Sequence, residues 1–290
     1  MLDYQCVKNW SFPAVVQSYG IRDTMLYALG LGIGTDPLNE AELAFVYEDR
    51  LQVVPTMAAV LGSPGPWMRD PRSGIDYSKL VHGEQAVKIL KPLPAATIVV
   101  ATNRVVSVTD KGAGKGAILV VVRELREQGY DELLAECRQT YFLRADGGFS
   151  ANGSPSDPGP ASLPPVPERA PDVELSLATL PGQALIYRLS GDYNPLHADP
   201  AVAKAAGFDR PILHGLCTYG VAARALLKAA GAVHAEQLQE IAVRFTAPVY
   251  PGETLRFECW HQGGGEWRLR AHVDARGAVV LNNGLARALT

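Results

Sequence analysis

Two side chains able to exchange a proton stand close together in YRLSGDYNPLHADPAVAKAAGF, residues 187–208: Asp192 and His197, on either side of an Asn-Pro pair. Gly191 permits backbone angles that other residues resist, and Pro195 steers Asn194 away from helix. The segment therefore reads as a tight irregular turn that holds a carboxylate and an imidazole in fixed relation. A water shared by such a pair can give up one proton and receive another, which is general acid–base chemistry. Any single member is more simply a turn former or a surface histidine; the whole string is too particular for a plain bend. A helix is expected directly afterwards, with Asp199 as N-cap and Pro200 in its first position.

Downstream, RPILHGLCTYG (residues 210–220) puts His214 and Gly215 at the start of an alanine-rich helix. The first N–H groups of a helix lack partners and carry partial positive charge, so the Gly215 amide suits a developing oxyanion. Without a side chain, Gly215 also lets a substrate approach the backbone. His214 is equally readable as an N-cap or a packed histidine.

Elements must position these groups. Leu216, Tyr219, Ala223, Leu226 and Ala230 recur at steps of three and four, predicting a helix over 215–230 buried on most sides. Alternation then predicts strands around Ile241–Phe245, Leu255–Cys259 and Trp267–Val273, with turn signals at YPGE, QGGGE and ARG. One apolar helix followed by four or so half-exposed antiparallel strands implies an α+β unit in which a sheet wraps a helix. The first half repeats this order more weakly: the short PTMAAVLG, then candidate strands in ATIVVATNRVVSV, KGAILVVVREL and CRQTYFLRA. KPLPAATIVV and APVYPGETLRF share two prolines just before a strand. The chain thus reads as two copies of one unit, the first degenerate at its front. They span 1–149 and 173–290, joined by the Pro/Gly/Ser-rich linker 150–172.

Composition narrows the function. With 290 residues, 47% hydrophobic content and a formal charge of -3, the chain can bury a large core but has no field suited to nucleic acid or anionic membrane. The most apolar run, AILVVV, is strand-length, so no membrane association is expected. The first ten residues do not read as a secretory signal, and the 4 scattered cysteines read as reduced thiols, so a cytoplasmic location is expected. GLGIG (residues 30–34) lacks the third glycine of a dinucleotide fingerprint, and DKGAGKG (residues 110–116) is no phosphate loop. No HExxH or paired Cys/His spacing is present. Neither a cofactor nor a metal is expected. Lys111 and Lys115 read either as phosphate contacts or as solvated charges on a hairpin.

The strings YRLSGDYNPLH, PILHGLCTYG and FTAPVYPG resemble the MaoC-like, type 2 enoyl-CoA hydratases. YALGLGIG, FVYED, LVHGEQ and VTDKGAGKG extend the resemblance to the two-repeat members, over nearly the whole chain. It implies a double hotdog fold, two antiparallel sheets each wrapping a helix, with the catalytic turn kept only in the second repeat. It implies addition of water to a trans-2-enoyl-CoA, giving the (3R)-3-hydroxyacyl-CoA, by a homodimer. Asp192 and His197 then match the catalytic pair, Asn194 the residue that helps hold it, and Gly215 the oxyanion-hole amide. His82, Gly83, Lys111 and Phe245 match ligand-contacting positions, joined by Tyr193, Pro195 and Leu196 from the turn. Tyr27, Glu48 and His214 match supporting residues. The short PTMAAVLG segment leaves room for medium, long or bulky acyl groups. A thioesterase on the same fold, a non-catalytic acyl-CoA-binding protein, and dehydration in the reverse direction are the competing readings.

Overall fold

In Glu266–Val273 every second residue is buried, so one face of this strand points to the core and the other to solvent. The same period builds ten strands in the computed structural model, which describes residues 2–232 and 234–288. They are β1 (Val15–Tyr19), β2 (Leu80–Ile89), β3 (Thr97–Asp110), β4 (Ala117–Glu127), β5 (Leu133–Leu143), β6 (Val173–Ala178), β7 (Leu238–Phe245), β8 (Thr254–Gly263), β9 (Glu266–Val273) and β10 (Ala278–Ala288). Six helices accompany them: α1 (Tyr4–Lys8), α2 (Ile21–Gly30), α3 (Glu40–Leu43), α4 (Gln183–Tyr187), α5 (Pro200–Ala205) and α6 (Gly215–Ala229).

The strand order is β1-β3-β4-β5-β2-β7-β10-β9-β8-β6. Counted within its own half, each set of strands runs first, third, fourth, fifth, second, so the repeat read from the sequence is a repeat of topology. The two sheets meet edge to edge: β2 and β7 pair antiparallel through Glu84↔Arg244 to Lys88↔Glu240, making one ten-stranded sheet. Arg244 and Glu84 form an ion pair across that seam at 2.7 Å.

Helix α6 fills the concave side of the second half, with Cys217 to Leu227 all buried. Its alanines and Gly220 let neighbours come close; a Cβ on Gly220 would lie 2.4 Å from Leu31 Cδ2. The Tyr219 hydroxyl crosses to the Ile241 carbonyl at 2.8 Å. In the first half the corresponding place holds only a five-residue 3-10 turn, Pro55–Ala59, as the shortness of PTMAAVLG suggests. The strands β1, β2 and β6 carry weaker signals, and composition left them unread. In β1 and β6 half-buried positions alternate with exposed ones over only five and six residues, and in β2 most positions are half-buried, so each leaves a faint pattern.

Residues 153–172 contain no helix or strand and are pinned to both halves. The Asp157 carboxylate accepts from Tyr4 Oη, Lys8 Nζ and Val108 N–H, while Trp260 Nε1 donates to the Arg169 carbonyl at 2.8 Å.

Candidate active site

The turn that carries Asp192 and His197 is built by its own side chains. Gly191 sits at φ 117, a conformation that opens the turn and that a side chain would resist. The Asp192 Oδ1 accepts from Asn194 N–H, and Asn194 Oδ1 accepts from Leu196 N–H, both at 3.1 Å. Asn194 therefore caps the 3-10 turn Pro195–His197 that presents the imidazole. Asp199 then caps α5, accepting from Ala201 and Val202 N–H, with Pro200 in the first position as read from the sequence.

His197 Nδ1 lies 2.9 Å from the Ile212 carbonyl. A carbonyl only accepts, so Nδ1 carries the proton and Nε2 keeps its lone pair. His214 is ordered in the same way: its Nε2–H donates to the Asp192 carbonyl at 3.1 Å. It precedes α6 but makes no side-chain cap bond there, so neither capping nor mere packing describes it. The two imidazole rings stack with centroids 3.7 Å apart, and Tyr187 packs on His214 at 5.1 Å. Tyr27 lies behind Tyr187 at 5.8 Å and donates to Thr56 Oγ1 at 3.0 Å.

Burial governs protonation here. It lowers His197 below the ordinary 6.5, although the Ile212 carbonyl and the Asp192 charge act in the opposite sense. Burial, followed by the neighbouring His197, pushes His214 down to about 4. Both rings are neutral at pH 7. One donor atom each from Asp192, His197 and His214 lies within 4.8 Å of the others, the arrangement among the described residues best able to share a cation or a water.

The first half supplies a second wall. His82, on β2, packs on Phe245 of β7 at 5.2 Å and on Tyr141 of β5 at 5.0 Å. Its Nε2–H donates to the Glu84 carbonyl at 3.1 Å. Burial lowers it to about 4, with Arg123 acting in the same direction and the Glu84 carbonyl and Asp192 against it, so His82 feels the Asp192 carboxylate across the seam. Tyr141, driven up to about 12 mainly by burial, feels the same carboxylate. Gly83 sits at an irregularity in β2, where a Cβ would come 3.3 Å from the Thr140 carbonyl. Phe245 lies against Gly215: a Cβ there would meet its ring at 3.5 Å. The helical bonds of α6 start from Cys217 and Thr218 N–H to the His214 carbonyl, leaving the Gly215 and Leu216 amides ahead of the ladder.

One residue read as a supporting member falls elsewhere. Glu48 is exposed, on a surface loop beside Arg50 at φ 57, and does not support the cleft. The buried carboxylate of that region is Glu42, which takes Arg224 Nε and Nη2 at 2.8 Å and Lys228 Nζ at 3.0 Å. Burial alone would raise Glu42, but Lys228, Arg224 and the Gly34 N–H outweigh it and leave it lowered. Lys111 is exposed on the β3–β4 hairpin, as is Lys115, and no hydrogen bond, ion pair or ring contact among the described residues joins either to the catalytic turn. That hairpin is organised by Asp110, which accepts from Gly112, Gly148 and Ser150 N–H and from Ser150 Oγ. Within the turn, Pro195 and Tyr193 are exposed and Leu196 half-buried; Tyr193 lies under the Arg188 guanidinium at 5.0 Å. Tyr187, Tyr141 and Arg123 escaped the sequence reading. Arg123 left a trace there: a charge directly after the apolar run AILVVV, at an inward position of β4.

A carboxylate and an imidazole on one turn near the first amides of a buried helix, on a paired hotdog sheet, are the features expected of a hydratase/dehydratase type of protein. Residues 17–145 match the MFE-2 hydratase 2 N-terminal domain, and residues 162–283 match the MaoC like domain. The chain is 42% identical to "Enoyl-CoA hydratase 2, peroxisomal" of Arabidopsis thaliana over 87% of its length and 84% of that protein. It is 43% identical to "3-hydroxyacyl-thioester dehydratase Y" of Mycobacterium tuberculosis, over 91% of its length and 90% of that protein. The solved MaoC-like dehydratase from Phytophthora capsici superposes with a TM-score of 0.84 at 32% identity, over 99% of this chain and 98% of that one. The chain belongs to the MaoC-like, enoyl-CoA hydratase 2 family.

Proposed function

We propose that this protein catalyses the reversible hydration of a trans-2-enoyl-CoA to the (3R)-3-hydroxyacyl-CoA. The observation that carries the reading is the convergence of the Asp192 carboxylate and the neutral imidazole of His197 beside the first amides of α6. A water held between the carboxylate and the free Nε2 of His197 adds its hydroxyl to C3 and a proton to C2 on one face. The thioester oxygen gains negative charge as C3 is attacked, and the Gly215 amide at the positive end of α6 stabilises it. Neither step requires a metal or a redox cofactor. His82, Phe245 and Tyr141 stand on the opposite side, and the shortness of segment 55–62 beside α6 is the reason to expect that acyl groups longer than four carbons are accepted.

Two finer points belong to the same proposal. Four unbonded cysteines accord with a reducing, cytoplasmic setting. Strands β1 and β6 are the free edges of the sheet, through which a homodimer can form. The test of function is direct. Crotonyl-CoA and trans-2-decenoyl-CoA should both lose conjugated absorbance without releasing thiol. Free CoA thiol would instead establish a thioesterase, and unchanged absorbance a binding protein.

A further inference from the structure

The acyl-binding reading makes residues 55–62 one wall of the substrate site, and that segment is held in an unusual way. A short 3-10 turn ends in carbonyls with no partner in its own ladder. Here sheet side chains bind them. Cys137 Sγ, on β5, donates to the Ala58 carbonyl at 3.3 Å. Arg123 Nη1, on β4, donates to the Ala59 carbonyl at 3.1 Å and the Leu61 carbonyl at 2.6 Å. The Gly62 N–H donates to Gln17 Oε1 at 2.7 Å, on β1. Arg123 is only 3% exposed, and its Nε reaches Asn103 Oδ1 at 3.3 Å. None of the ion pairs among the described residues includes Arg123. The carbonyl dipoles at the end of the turn offset its charge.

Stability alone does not call for this. An apolar side chain of similar volume generally serves a core as well as a buried cation. What a guanidinium adds is direction, because the two N–H groups of its planar Nη1 point along fixed directions and reach both carbonyls at once. The residue between those carbonyls is Val60, half-buried, and its own carbonyl lies on the other side of the wall: a Cβ built on Gly191 would come 4.0 Å from it. The clamp is thus on one side of the wall and the catalytic turn on the other.

We propose that Arg123 sets acyl-group selectivity, as a positioning residue that fixes segment 58–62 against the turn carrying Asp192 and His197. The proposal rests on the acyl-binding reading above. The test compares kcat and KM for crotonyl-CoA and trans-2-decenoyl-CoA in the wild type, Arg123→Met and Arg123→Lys. For Arg123→Met the decenoyl-to-crotonyl ratio of kcat/KM should shift by about tenfold, the scale on which pockets discriminate acyl-sized increments. The shift should sit in the KM for trans-2-decenoyl-CoA. Arg123→Lys should recover part of the ratio, since a lysine can still reach one carbonyl.

An unchanged ratio in folded Arg123→Met overturns the proposal. So does an equal loss on both substrates, which is what a purely structural arginine would give. Should Arg123→Met not fold, Arg123→Lys and Cys137→Ala carry the same comparison, with a smaller shift expected; no shift in either counts against it. A wild type confined to crotonyl-CoA would instead refute the acyl-binding reading itself, an outcome separate from failure of the Arg123 variants.

Discussion

In the proposed reaction His197 serves as a neutral base, the form its surroundings favour. Its Nδ1 proton is committed to the Ile212 carbonyl, and burial disfavours a second proton. The Asp192 carboxylate is held by the Asn194 amide, so both partners are aimed before substrate arrives. Replacing His197 with Ala, or Asp192 with Asn, should lower kcat on crotonyl-CoA by about 10²–10⁴, the usual contribution of a positioned acid or base. Circular dichroism should show the fold unchanged. Full turnover in either variant would remove that residue from the chemistry. The acid limb of the kcat/KM profile should fall below pH 6.5, because His197 protonates only below its ordinary value.

At the scale of elements, the asymmetry between repeats matters most. α6 is a complete helix, packed on the sheet and the 55–59 turn and met by the end of α2, where Cys217 Sγ donates to the Gly30 carbonyl. The first repeat has only that turn, and its end is shaped by Gly62, at φ 62 and packed on β3. A Cβ on Gly62 would lie 2.2 Å from the Ala101 Cβ. Gly62→Ala should therefore cost about 2 kcal/mol or more, combining left-handed backbone strain with overpacking. Urea denaturation reads this as a lower midpoint; an unshifted midpoint would mean that the wall is free to move.

For the whole molecule, three buried neutral histidines tie stability to pH. His82 and His214 have folded values of about 4, and His197 is lowered, against 6.5 when unfolded. Above pH 6.5 both states are neutral at these sites and no stability depends on them. Below it the unfolded chain takes up protons that the folded one refuses, so stability falls as pH drops from 6.5 to about 4. Thermal melts across that window should show a decreasing midpoint. The triple replacement His82→Gln, His197→Gln and His214→Gln should flatten the curve there; a slope as steep as wild type would assign the effect to other groups.

What could be read along the chain was whatever depends on neighbours in sequence. The Asp192–His197 turn, the α5 cap at Asp199–Pro200 and the α6 periodicity are local, because hydrogen bonds and steric limits over two to five residues determine them. The repeat was legible for the same reason, through proline-marked joints and the brevity of PTMAAVLG. Only the folded molecule decided the rest. Pairing of β2 with β7 makes one sheet of two and brings His82 and Tyr141 within the field of Asp192. Burial turns His214 from a nominal helix cap into a stacked, neutral partner of His197. Glu48 and Glu42 are alike as letters in one acidic stretch, and it is the approach of Arg224 and Lys228 from a distant helix that pairs the buried one, Glu42.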